Sequence, residues 1–137
     1  MAITKSVASL VTAANQQIQT LSVQQAAALL GDPDVVFVDI RDIRELYRDG
    51  KVEGAFHAPR GMLEFWVDPQ SPYHKPLFAD ESKRFVLYCG GGWRSALATL
   101  ALKDMGMSNV CHFDGGFKAW KESGGAIEAV KATPRPS

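Results

Sequence analysis

A chain of 137 residues is the size of one domain with one hydrophobic core, and its 46% hydrophobic content is that of an ordinary soluble globular protein. Lys+Arg and Asp+Glu both total 15, so no net charge favours nucleic acid or an anionic membrane surface as a partner. The apolar runs fall far short of a membrane span, and two cysteines, Cys89 and Cys111, are too few for a disulfide framework and suit a reducing cytoplasm.

Residues 1–16 read as an N-terminal extension, helical from about residue 4. Ser9 and Thr12 interrupt its apolar stretch, which favours an amphipathic helix over a secretory signal. Ile18 to Leu21 reads as a short strand. Ser22-Val23-Gln24-Gln25 has the form of a capping box and opens a helix to about Leu30. Gly31-Asp32-Pro33-Asp34 is a turn, and Val35 to Ile40 is a continuous apolar run suited to a strand buried on both faces. Asp42-Ile43-Arg44-Glu45 repeats the capping-box pattern, and its helix stops near Gly50. Ala55 to Ala58 is a further short strand, and a brief helix follows around Met62 to Trp66. Residues 67–80 hold three prolines and no period, and read as a surface loop. Arg84 to Tyr88 is a strand, Ser95 to Met105 a helix, Val110 to Phe113 a strand, and Phe117 to Ser123 a last helix after Gly115-Gly116. Lys131 to Ser137 reads as a frayed end. Strands alternating with helices imply an α/β fold with a mostly parallel sheet covered on both faces.

Residues Val86 to Leu97 carry most of the chemistry. A β-branched and aromatic run ends in Cys89; Gly90, Gly91, Gly92, Trp93 and Arg94 follow; then an alanine- and leucine-rich helix begins. Ligands of open parallel sheets bind at the C-terminal ends of the strands, where this order places one thiol. Successive glycines let amide groups turn inward into an anion-binding concavity, and the helix start adds unpaired N–H groups and partial positive charge. A thiol in that position is expected to give up its proton readily and act as a nucleophile.

Four ordered pieces carry a family resemblance: Val38-Asp39-Ile40-Arg41, Gly50-Lys51-Val52-Glu53-Gly54-Ala55, Tyr88 to Ser95, and Asp114-Gly115-Gly116-Phe117-Lys118-Ala119-Trp120. Together they resemble the single-domain rhodanese family of sulfurtransferases over about residues 17–123. The resemblance implies a rhodanese-like fold over residues 17–125, with residues 126–137 as a C-terminal tail. It implies that Cys89 takes a sulfane sulfur from a small-molecule donor such as thiosulfate. Cys89 then holds it as a persulfide and passes it to a thiol, to cyanide or to a protein sulfur carrier. Gly90, Gly91, Gly92, Trp93 and Arg94 are the expected substrate-binding residues, and no metal or organic cofactor is called for. The alternative is a sulfur-relay module loaded by a partner protein, with little activity on thiosulfate. Lys51 and Glu53 depart from the family pattern, in which many members carry histidine and proline at those places.

Loop length separates two chemistries within the wider family. Four residues lie between Cys89 and Arg94, whereas related phosphatases and arsenate reductases use five to enclose a tetrahedral oxyanion. Trp93 either lines the pocket or packs in the core. Arg94 either aims at a bound anion or braces the loop through an ion pair, with Asp39 and Glu53 as candidate partners. Cys111 reads as a core cysteine rather than a resolving thiol, because strands in register leave it about 10 Å short of the Cys89 level. His57, His74 and His112 are expected to be structural or solvent-exposed. Phe65 and Trp66 pack in the core or form a hydrophobic rim, and Phe117 and Trp120 read as core anchors.

Overall fold

The computed structural model describes residues 2–132. Ser6 caps α1 (Val7–Asn15) by accepting from the Ser9 amide. After β1 (Thr20–Leu21), Ser22 and Gln25 close the capping box that starts α2 (Val23–Ala28). The apolar run becomes β2 (Val35–Asp39), and a second capping box, Asp42 with Glu45, starts α3 (Ile43–Asp49). Then come β3 (Lys51–Val52), β4 (Phe56–His57), a 3-10 turn at Arg60–Met62 and α4 (Leu63–Val67). The remainder is β5 (Arg84–Tyr88), α5 (Trp93–Asp104), β6 (Val110–Phe113), α6 (Gly116–Glu122) and β7 (Ile127–Glu128).

The central sheet has the order β1-β6-β5-β2-β4, and every neighbouring pair is parallel. This is the mixed α/β, parallel-sheet architecture that the alternating pattern implies. β5 is its middle strand and is apolar throughout after Arg84, because both of its faces are covered. Phe85 and Leu87 join Val38, Ile40, Leu63, Ala98 and Leu102 on the side of α4 and α5. Val86 and Tyr88 join Phe37, Cys111, Phe113, Phe117 and Trp120 on the side of α2 and α6. α1 lies outside α5, with Val11 and Ala14 packed on Ala96.

Three features differ from the sequence reading. Residues 67–80 are not all surface loop, since a 3-10 turn at Pro76–Ala79 seats Phe78 in the core against Phe56 and Phe85. β3 and β7 form a separate antiparallel pair, which two-residue strands cannot announce through periodicity. α5 begins two residues earlier than expected, because Gly92 in the left-handed region (φ +105) supplies its cap. Of the end read as frayed, residues 133–137 lie outside the described residues.

Candidate active site

The alternation of β5 continues one residue beyond the strand, so Cys89 faces the same side as Phe85 and Leu87 and is buried. The backbone then turns sharply into α5. Two amides donate to the sulfur, Gly92 N at 3.1 Å and Ser95 N at 3.4 Å. The loop's carbonyls are held from the other side. Phe117 N donates to Cys89 O at 2.8 Å and Lys118 N to Gly90 O at 3.1 Å, so the first turn of α6 fixes these two carbonyls. Among the described residues the amides of Gly90, Gly91, Trp93 and Arg94 have no hydrogen-bond partner. A sulfur anion at this point therefore meets fixed N–H donors and the start of a 12-residue helix.

The side chains around the loop divide clearly. Trp93 is 54% exposed, so it sits at the surface and not in the core. Arg94 forms a bidentate pair with Glu45, at 2.8 and 3.0 Å, and neither Asp39 nor Glu53 is its partner. Asp39 instead holds Arg41 in a buried pair at 2.7 Å, with the Arg41 guanidinium over the Phe117 ring. The hydrogen bond from Arg94 holds the Glu45 carboxyl below its ordinary value, against the opposing effect of partial burial. The pair lies over Gly90, where a Cβ would come within 3.0 Å of Arg94 Nη2. Phe65 is half exposed and meets Tyr73 edge-on, while Trp66 packs on Phe56.

Cys111 pairs in register with Val86, three residues before Cys89, and lies in the opposite core. Burial pushes its thiol up, which keeps it protonated and inert. His57 and His74 bond to the Arg41 and Trp66 carbonyls respectively, as structural residues do. His112 is a different case. It is buried in β6, and its Nδ1 lies 2.9 Å from Ser95 Oγ, which is 3.6 Å from Cys89 Sγ. Sequence reasoning missed Glu45, Ser95 and His112 as neighbours of the loop. The one available signal was a polar ring between Cys111 and Phe113 in a strand otherwise apolar throughout.

Fold and site together define a class: a parallel α/β sheet with a buried cysteine at the C-terminal end of its middle strand and two loop amides on the sulfur. The model of the rhodanese-like domain matches residues 22–123, and the chain belongs to that family. The tRNA uridine(34) hydroxylase of Erwinia tasmaniensis is 35% identical over 100 residues, covering 70% of this chain and 26% of that protein. The chain thus spans about a quarter of the length of the curated relatives it matches. A solved structure from Rhodopseudomonas palustris, described as a protein of unknown function and possible tyrosine phosphatase, is 53% identical with a TM-score of 0.89 and covers 93% of this chain and 98% of that one. The polysulfide-sulfur transferase homodimer of Wolinella succinogenes is 31% identical with a TM-score of 0.67, covering 88% and 85% of the two chains.

Proposed function

We propose that this protein is a rhodanese-type sulfurtransferase that carries sulfur on Cys89. The observation behind the reading is the Cys89 sulfur itself, which receives the Gly92 and Ser95 amides beside four amides of the same loop that have no partner among the described residues. Such a ring suits an anion whose charge sits first on Sγ and then on a second sulfur bonded to it. The Cys89 thiolate attacks the outer sulfur of a donor such as thiosulfate. A bond forms between Sγ and that sulfur, and the donor's S–S bond breaks with its electron pair leaving on sulfite. The acceptor, a thiolate, cyanide or a protein carrier, then attacks the terminal sulfur, and Sγ departs as thiolate. Gly90, Gly91, Gly92, Trp93 and Arg94 frame the donor in this reading, and a reducing compartment is where the free thiol persists.

The likeness to a possible tyrosine phosphatase gives a second reading, and two features weigh against it. The loop holds one residue fewer than a phosphate bowl, and the guanidinium that would clamp a phosphoryl group has Nη1 and Nη2 engaged by Glu45. A role in tRNA modification, by analogy with the hydroxylases, gains no support from the overall charge, since Lys+Arg and Asp+Glu are equal. Most of those proteins' length lies outside the match.

Intact mass decides. After exposure to thiosulfate the protein is expected to gain roughly 32 Da, the mass of one sulfur, with Cys89→Ser folded and gaining nothing. Sulfur on Cys111 instead, or full transfer by Cys89→Ser, overturns the reading. Loading from a protein persulfide but not from thiosulfate identifies the relay form.

A further inference from the structure

A line of hydrogen-bonding groups runs from the buried sulfur to the surface, and the sulfur chemistry above makes no use of it. Ser95 Oγ lies 3.6 Å from Cys89 Sγ and 2.9 Å from His112 Nδ1. The other ring nitrogen, Nε2, lies 3.0 Å from Thr20 Oγ1 and 3.0 Å from Asn15 Oδ1, and these two are 3.3 Å apart. Cys89, Ser95 and His112 are 1% exposed or less, whereas Thr20 and Asn15 are exposed. Five elements or their edges supply the line: the end of β5, the first turn of α5, β6, β1 and the last residue of α1.

Burying an imidazole costs free energy that an apolar side chain at the same place avoids. A neutral imidazole offers in return one edge that donates and one that accepts, and the two can exchange. With the proton on Nε2, Asn15 Oδ1 accepts it, Ser95 donates to Nδ1, and the Ser95 oxygen is free to accept the S–H of a thiol. With the proton on Nδ1, the ring donates to Ser95 Oγ, Ser95 donates to the sulfur anion, and Thr20 donates to Nε2.

We propose that Ser95, His112 and Thr20 form a proton relay for Cys89, with His112 as the positioning residue that turns the Ser95 hydroxyl to match the charge on the sulfur. The inference rests on Cys89 being the nucleophile. The Cys89 proton moves to Ser95 Oγ while the Ser95 proton moves to His112 Nδ1. The Nε2 proton moves to Thr20 Oγ1, whose own proton leaves to water. One proton departs, the ring changes tautomer, and every other atom keeps its number of bonds. The same steps in reverse restore the thiol. The other charged groups near the line are Arg94 on α5, its partner Glu45 on α3, and Asp114 after β6, and they are unchanged in the variants below.

The test is the rate of Cys89 alkylation by iodoacetamide as a function of pH, in a Cys111→Ser background, with folding followed by circular dichroism. Ser95→Ala is expected to slow alkylation at neutral pH about tenfold and to move its pH midpoint upward, as loss of a hydrogen bond to an anion requires. His112→Phe moves the midpoint the same way by a smaller amount, and adds nothing in the Ser95→Ala background, because it acts through that hydroxyl. Thr20→Val, at the exposed end and keeping a β-branched side chain in β1, moves it as well by leaving Nε2 facing only an acceptor. An unchanged midpoint in Thr20→Val, or an undiminished His112→Phe effect without the Ser95 hydroxyl, overturns the relay. Sulfur loading by intact mass tests the nucleophile separately, so failure of either claim is recognisable by itself.

Discussion

Three consecutive glycines follow the nucleophile, and each stands in a different environment. Gly90 lies under the Arg94–Glu45 pair, close enough that a Cβ would press on the guanidinium. Gly91 is exposed, and a Cβ there meets nothing within 4 Å. Gly92 is buried at φ +105, where an L side chain is strained, and its amide is one of the two that reach the sulfur. Gly91→Ala is therefore expected to load sulfur within about twofold of the parent, whereas Gly92→Ala, which displaces a donor, loses about tenfold or more. Persulfide formation by intact mass at fixed thiosulfate ranks the two, and equal losses would refute the assignment of the donor to Gly92. The sequence announced a loop that cradles an anion. It could not say which glycine holds the strained conformation, because that depends on where the helix takes up its first turn.

The short helix α6 acts on the loop through its own backbone. Its first N–H groups, at Phe117 and Lys118, grip the carbonyls of Cys89 and Gly90. That grip needs backbone contact, which Gly116 permits: a Cβ there would stand 2.6 Å from Cys89 O and 2.8 Å from Gly90 O. Its φ of +58 adds a conformational penalty for any other residue. Gly116→Ala is expected to cost about 2 kcal/mol or more in stability, and to lower sulfur loading disproportionately, because the loop itself must move. Ser22→Ala is the comparison, since it removes the distant cap of α2 for about 1 kcal/mol with loading intact. Urea unfolding with mass-measured loading separates the two, and a Gly116→Ala protein with parental loading would remove α6 from the site. Elements of this kind were legible in part. Capping boxes at Ser22 and Asp42 and the double glycine that starts α6 are local signals. The β3–β7 pair and the seat of Phe78 arise only from tertiary packing.

Over the whole molecule, the sheet order brings together residues that the chain keeps far apart. His112 meets Thr20 across 92 positions and Asn15 across 97, and no local pattern encodes such a meeting. Its burial has a global consequence. Desolvation pushes the imidazole down from its ordinary 6.5 to about 4, with the nearby Asp114 charge opposing, so it stays neutral in the folded protein. Between those pH values the unfolded chain binds a proton at this ring that the folded chain refuses. Stability therefore rises with pH across the window, and acidification from pH 7 to pH 5 removes about 2 kcal/mol through this one group. His112→Asn, which cannot titrate, abolishes that part of the dependence, so its unfolding free energy falls less between the same two pH values. Glu45, held low by Arg94, stabilises the fold above the carboxylate range and loses that contribution only as pH falls further, so it leaves the window clear. Urea unfolding of parent and variant at the two pH values measures the difference. Parallel losses would mean that His112 accepts its proton in the folded state, and that the ring has more access to water than its place in β6 allows.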